Sequence, residues 1–405
     1  MKITKVLTIL FLISSLFLVL PSAWASDVRG VTDKSIKLGM LYDLSGPGRY
    51  AAPWITAGSN DFIAWINDKG GVHGRTIELI HEDNGMSPNK ALAAAKKVIF
   101  KDNVFAIVYS QGSAATSAII PLCEEHKVVV FPMGANKHFY VPGNKWVFVP
   151  TTVNFSQASR GVEFILNKDP KAKIGVIYQD DGFGREGLDG ARAAAEFMNT
   201  KLVKEMSYKR GAVDLSPHVR AMREADVDFI VLWTYLPQTA AVIKERAKMG
   251  WDVGLLTNST NPYPAALFHM TGEIADGLLI TVPYMPIHSD VPGVKQVKEV
   301  IKKYGSAKYL ENPMFQDYSY MVIGWSYMNT MVEGLRRAGR DFTPEKLVKA
   351  LESVKDLDQK GIVPDVTFGP DRHVSSFETS ILRFDAQSKK FVLVDPYKEP
   401  KTPQD

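Results

Sequence analysis

Gly182-Phe-Gly184-Arg-Glu-Gly187 is the stretch best equipped for chemistry, because G-x-G-x-x-G behind an apolar run is how a dinucleotide pyrophosphate is cradled. Asp180 and Asp181 stand just before it and would set like charge against a pyrophosphate. A near copy, GPGRYA from Gly46, keeps the turn and loses the pattern. The stretch therefore predicts a tight strand-to-helix turn that uses glycine backbone freedom, with no nucleotide and no other cofactor. Cys123-Glu-Glu-His126 places a thiol and an imidazole on one helix face, but no second ligand pair stands nearby, so no metal site is expected. Cys123 reads as core and His126 as a helix-end residue. No G-x-S-x-G elbow occurs. With no nucleophile–base or metal cluster, the chain is expected not to be an enzyme.

The turn itself points to the elements that must position any site. KLGMLYDLSGPGR (37–49) and KIGVIYQDDGFGR (173–185) align without a gap, sharing lysine, tyrosine, three glycines and the arginine Arg49/Arg185. A second match sets NVFAIVYSQGSAATSAI (103–119) against DVDFIVLWTYLPQTAAV (226–242), with Thr116 over Thr239. One α/β unit is built twice, and a cleft lies between the copies. Strand and helix patterns alternate accordingly: strands at 36–42, 76–82, 105–109 and 128–132, then at 173–178, 202–208, 229–233 and 253–257, with amphipathic helices between. This predicts an α/β fold of two lobes with mostly parallel sheets, and the tail of helices followed by strands suggests that the chain crosses back between them. The expected division is a leader over 1–25, lobe 1 over 26–149 and lobe 2 over 150–280. The chain then returns to lobe 1 over 281–358 and to lobe 2 over 359–395, and ends in a flexible polar tail over 396–405.

Composition agrees with a two-domain globular protein: 405 residues, 45% hydrophobic and 23% charged. Lys2 and Lys5, the run Val6–Leu20 and Ala23-Trp24-Ala25 form a secretory leader cleaved after Ala25. Net charge is +4, and two of those charges leave with the leader, so neither nucleic acid nor an anionic membrane is an expected partner. Cys123 is the single cysteine, so no internal disulfide and no lipid attachment at the cleavage site are expected. These features suit a monomer free in the periplasm.

In open α/β sheets ligands bind at the carboxyl ends of the strands. The loops there are 45–50, 110–116 and 133–137 in lobe 1, and 180–185, 233–237 and 258–263 in lobe 2. They supply the candidate ligand-binding residues Arg49, Tyr50, Ser113, Thr116, Gly134 and Asn136 from lobe 1, and Phe183, Tyr235 and Asn258 from lobe 2. Ser113 and Thr116 begin a helix, where free N–H groups favour an anion.

LSGPGRY (44–50), INDKGGVHGRTIELIHEDN (66–84), SQGSAATSAIIPLCEEHKVVVFPMGAN (110–136) and IYQDDGFGREG (177–187) together resemble the type I periplasmic solute-binding proteins of ABC importers, nearest to the leucine/isoleucine/valine-binding group. The resemblance implies two Rossmann-like lobes with parallel sheets joined by three crossover segments, which close over a ligand, and a closed form that docks on a membrane permease. It also implies that Ala114 and Asn136 stand where the family holds a ligand carboxylate, with Ser113 and Thr116 adjacent. Tyr50, Phe183 and Tyr235 match the family's aromatic walls. The family's acid, which pairs with a ligand ammonium, should fall in Leu256–Pro262, and that stretch contains none. The expected ligand is therefore a small organic acid, with an aromatic one fitting the walls, and not a zwitterionic α-amino acid. Two other readings stand beside it: a sensor that presents its ligand to a membrane receptor, and a branched-chain or other amino acid binding protein.

Overall fold

The computed structural model describes residues 28–404 apart from 47, 50, 135, 141–143, 262 and 306–318. The leader 1–25 and Tyr50 lie outside the described residues. The first sheet is four parallel strands in the order β2-β1-β3-β4: β1 Ser35–Tyr42, β2 Thr76–Asp83, β3 Ala106–Gln111 and β4 Val130–Met133. The second contains β5 Ile174–Gln179, β6 Lys204–Tyr208, β7 Phe229–Trp233, β8 Gly254–Thr257 and β9 Leu279–Val282, in the parallel order β6-β5-β7-β8-β9. The first four of these five repeat the order of the first sheet, so the duplication read from the turns extends to topology. All six residues of β3 are buried, as expected of a strand covered by helices on both faces.

The second sheet also carries an antiparallel hairpin, β10 Thr379–Asp385 and β11 Lys390–Lys398, added beyond β9. The expected polar tail is not loose. β11 extends to Lys398, and Thr402 is 2% exposed. Its N–H and hydroxyl donate to Glu163 Oε1 at 2.7 and 2.6 Å. A carboxylate on a helix of the second lobe thus ties the tail down.

Helices cover the sheets. Around the first lie α1 Ala52–Asp68, α2 Pro88–Lys96, α3 Ser113–Glu125 and the short α4 Lys137–Tyr140. Around the second lie α5 Asn154–Lys168, α6 Gly182–Phe197, α7 Ser216–Glu224, α8 Leu236–Lys248 and α9 Pro264–Thr271. Then come α10 Pro292–Tyr304, α11 Ser319–Arg337 and α12 Pro344–Glu352. Pro53, Pro88, Pro217, Pro237, Pro264, Pro292 and Pro344 each sit in a first turn, where the missing N–H has no partner to lose. α11 returns to the first lobe and packs on α1, with Phe62 edge-on to Trp325 at 4.7 Å. Gly58 permits that approach, since a Cβ there would lie 2.2 Å from the Met321 carbonyl.

The chain passes between the sheets after β4, after β9 and before β10. The first and third passages run side by side: Val149 N–H donates to His373 O at 2.7 Å, and Ser375 N–H to Val149 O at 2.9 Å. The third crossing therefore lies near Val374, about fifteen residues after the expected return at 359. His373 still stacks on Phe148 of the first lobe, which holds that segment back.

Candidate functional site

The carboxyl ends of both sheets face one cavity. Its walls are Gly48, Ala51, Met86, Gln111–Ser113, Met133 and Gly134 from the first lobe, and Phe183, Tyr235–Pro237, Ser259, Thr260 and Tyr263 from the second. Thr151, Thr152, Asn154 and Gln157 of the first crossing, with Pro283 and Tyr320, complete it. None of these residues is charged.

The first-lobe wall is built by the start of α3. Gly112 precedes the helix at φ 92°, a backbone region that favours glycine, and no described side chain caps the helix. The first intrahelical bond belongs to Thr116 N–H, donating to Gly112 O at 2.8 Å. The N–H groups of Ser113, Ala114 and Ala115 precede that first bond and have no intrahelical acceptor. Thirteen residues of helix stand behind them, so the positive dipole end opens on the cavity. The Ser113 hydroxyl donates to Gly134 O at 2.6 Å, which joins this loop to the one after β4.

The second lobe and α11 supply aromatic rings. Phe183 and Tyr235 stack at 5.0 Å and 27°, and Tyr263 and Tyr320 at 5.2 Å and 4°. Burial pushes the Tyr235 and Tyr263 phenols well up, so they remain neutral hydrogen-bonding groups. Tyr284 and Tyr320 both donate to the Ser259 carbonyl, at 2.6 and 3.2 Å.

Two carboxylates lie close behind these walls, and both are engaged by their own turns. Asp43 accepts the N–H groups of Ser45, Gly46 and Gly48. Asp181 caps α6, accepting from Phe183 and Gly184 N–H at 3.1 Å each. This cap starts α6 at Gly182, so the glycines expected to form a turn are the first residues of the helix. It also explains why the glycine fingerprint cannot hold a phosphate: an aspartate already occupies the helix start.

The structure places Ser113, Gly134, Phe183 and Tyr235 on the cavity wall. Ala114 contributes a backbone N–H at the helix start, while its side chain is off the wall. Four expected residues stand elsewhere. Arg49 is exposed and donates to Gly46 O at 3.1 Å within its turn, and its copy Arg185 pairs with Asp180 at 2.8 Å. The Thr116 hydroxyl lies 2.8 Å from that of Ser110, bracing the strand end. Its repeat partner Thr239 does the same with Thr234 at 2.6 Å. Asn258 is 1% exposed and donates to Leu232 O and Thr234 O, holding its loop so that Ser259 and Thr260 face the cavity instead. Asn136 is buried against Gly182 of the other lobe and does not line the cavity.

Other residues were not legible as site residues: the crossing residues Thr152, Asn154 and Gln157, the ring pair Tyr263–Tyr320, and Arg210. Arg210, in the loop after β6, donates to Met86 O at 2.7 Å and Gly85 O at 3.3 Å in the loop after β2. It clasps the lobes through the loops of equivalent strands. The one signal for the crossing residues is their polarity, TTVNFSQ, in a segment that links two apolar elements.

Residues 35–389 match the family described as periplasmic binding protein. The chain belongs to this family. The Leu/Ile/Val-binding protein of Escherichia coli K12 is 25% identical to this periplasmic binding protein over 276 residues, which are 66% of this chain and 72% of that one. A fatty acid ABC transporter substrate-binding protein from Thermomonospora curvata superposes with a TM-score of 0.81 and 26% identity, covering 93% of this chain and 95% of that chain. A branched-chain amino acid ABC transporter protein from Thermus thermophilus with bound valine superposes with a TM-score of 0.82 and 21% identity, covering 92% and 98%. The family consists of substrate-binding proteins of the ABC transporter type. Among the described residues no helix is long and apolar enough to cross a membrane, and no His/Cys/Asp/Glu cluster could hold a metal.

Proposed function

We propose that this periplasmic binding protein captures a small carboxylic acid that lacks an α-ammonium group and delivers it to the permease of an ABC importer. The observation that carries the reading is the uncapped start of α3 opening into a cavity with no charged side chain among its described wall residues. The helix start favours a carboxylate. An ammonium would be desolvated with no carboxylate to meet it, at a cost of several kcal/mol. The Ser259 carbonyl, in the stretch where the family acid is expected, is already occupied by two phenols. A similar protein is named for fatty acids, which are acids without an ammonium. The paired rings Phe183–Tyr235 and Tyr263–Tyr320 offer flat faces, which suit an aromatic or otherwise planar body. Cleavage after Ala25 would release the protein into the periplasm. Closure of the lobes would draw its energy from contacts that the ligand makes only in the closed form.

Thermal shift with leucine, valine, hexanoate, benzoate and 3-phenylpropionate tests this. A ligand at 100 times its Kd stabilises by about 2.7 kcal/mol, a rise of a few degrees. Acids without an amine should raise Tm and the amino acids should not. A larger rise with leucine than with any simple acid would end the reading. Tyr235→Ala should weaken the best acid about tenfold in calorimetry, and unchanged affinity would mean that the ligand lies elsewhere.

A further inference from the structure

Thr152 Oγ1 and Asn154 Nδ2, on the first crossing segment, are buried without a hydrogen-bond partner. Their residues are 3% and 4% exposed, and both line the cavity. A native interior rarely leaves a donor unpaired, and a site whose ligand supplies the partner is one reason to do so. A second observation falls at the same place. Asn154 begins α5, whose N-cap is Val153, a residue with no side-chain acceptor, so this fifteen-residue helix also starts uncapped. Donors therefore gather there: a hydroxyl, an amide and a helix start. Neighbouring Gln157 does not satisfy them, since its Oε1 accepts from Ser259 N–H.

We infer that the ligand is two-ended, with a carboxylate at the start of α3 and a second oxygen acceptor held by Thr152, Asn154 and the start of α5. This rests on the carboxylate reading above. The shared chemistry of the second group is an oxygen that accepts hydrogen bonds, either a keto oxygen or a second carboxylate. An ammonium at that end would face the positive dipole end of α5 and no carboxylate among the described wall residues. Because these residues belong to a crossing segment, the second group would bind at the hinge itself, where occupancy bears directly on closure.

The test is calorimetry of the full mature chain against two matched series: benzoate, 4-acetylbenzoate and terephthalate, and hexanoate, 5-oxohexanoate and adipate. In at least one series a two-ended acid should bind tenfold or more tighter than its plain parent. The keto and dicarboxylate arms tell which oxygen is read. Thr152→Val and Asn154→Leu should remove that advantage, lowering affinity for the two-ended acid at least fivefold more than affinity for its plain parent. Because the two atoms have no partner in the fold, Thr152→Val should leave the Tm of the ligand-free protein unchanged or raised. Plain and two-ended acids of equal affinity in the native protein would overturn the inference and leave the carboxylate reading standing. So would equal losses for both classes in the variants. Failure of every acid, with binding of leucine, would instead overturn the carboxylate reading beneath it.

Discussion

Cys123 lies within α3 with no exposure, and burial pushes its thiol up to about 12. The thiolate is the reactive form, so the sole cysteine should be inert in the native protein. With Ellman's reagent at pH 8 the folded chain should release almost no thiolate in an hour, and the same chain in guanidinium should release one equivalent. Rapid labelling of folded protein would show that α3 opens readily, and the α3 start would then be a poor fixed anchor for a carboxylate. At this scale the sequence was a partial guide to the site. Ser113, Gly134, Phe183 and Tyr235 were legible because strand ends and helix starts are legible. Arg49 and Thr116 misled because each recurs in the second lobe. Recurrence marks what both lobes need, and both need braced turns, as the Arg185–Asp180 pair and the Thr234–Thr239 contact show. A ligand needs different groups from each wall, so the repeat is silent about it. Thr152 and Asn154 lie on a crossing segment, which neither the repeat nor the strand-end rule reaches.

At the scale of elements, α5 carries the clearest test. Its Glu163 is 3% exposed, and the tail is its partner: Lys401 N–H donates to Oε2 at 3.0 Å, and Thr402 donates twice to Oε1. Removing residues 399–405 would leave a buried carboxylate without these donors, a loss of about 3 kcal/mol in urea unfolding. Adding Glu163→Leu to the truncated chain should restore part of it, because the unpaired charge is then gone. A truncated chain with native stability would mean that the tail merely lies on α5. The tail was misread because its proline-rich, polar composition describes a surface segment whether or not a buried acid waits for its N–H groups. Most other elements were legible, since β3 and β7 are continuous apolar runs and the helices between them are amphipathic. β9 and α9 were not, since both lie past the four strands that the repeat covers. The start of α6 was misplaced because the cap at Asp181 recruits the glycine turn into the helix.

Across the whole molecule, two of the contacts that join the lobes beside the cavity use an ionisable side chain. Arg210 reaches the loop after β2. Opposite it, Lys137 N–H, just after β4, donates to Glu186 Oε1 of α6 at 2.9 Å. Glu186 is 9% exposed, and burial raises its carboxyl from the ordinary 4.5 to about 7. The Lys137 N–H and the Lys137 charge pull the other way, and Asp189 adds to the rise. Tyr140 also faces it, its phenol raised chiefly by burial. Opening the lobes would return Glu186 to water and toward 4.5. The closed form therefore holds the proton more tightly than the open form does. For a carboxyl raised on closing, the stabilising contribution is complete below 4.5 and is lost as pH rises through about 7. A shift of that size is worth at most about 3 kcal/mol. Ligand affinity should accordingly fall between pH 5.5 and 8, by about tenfold, a window in which a carboxylic acid ligand is already ionised and adds no slope of its own. Glu186→Gln should flatten the profile and keep the tight, low-pH affinity at pH 8. Calorimetry across that window decides it: a flat native profile, or a Gln variant that keeps the slope, would show that Glu186 is equally buried in open and closed lobes and takes no part in closure.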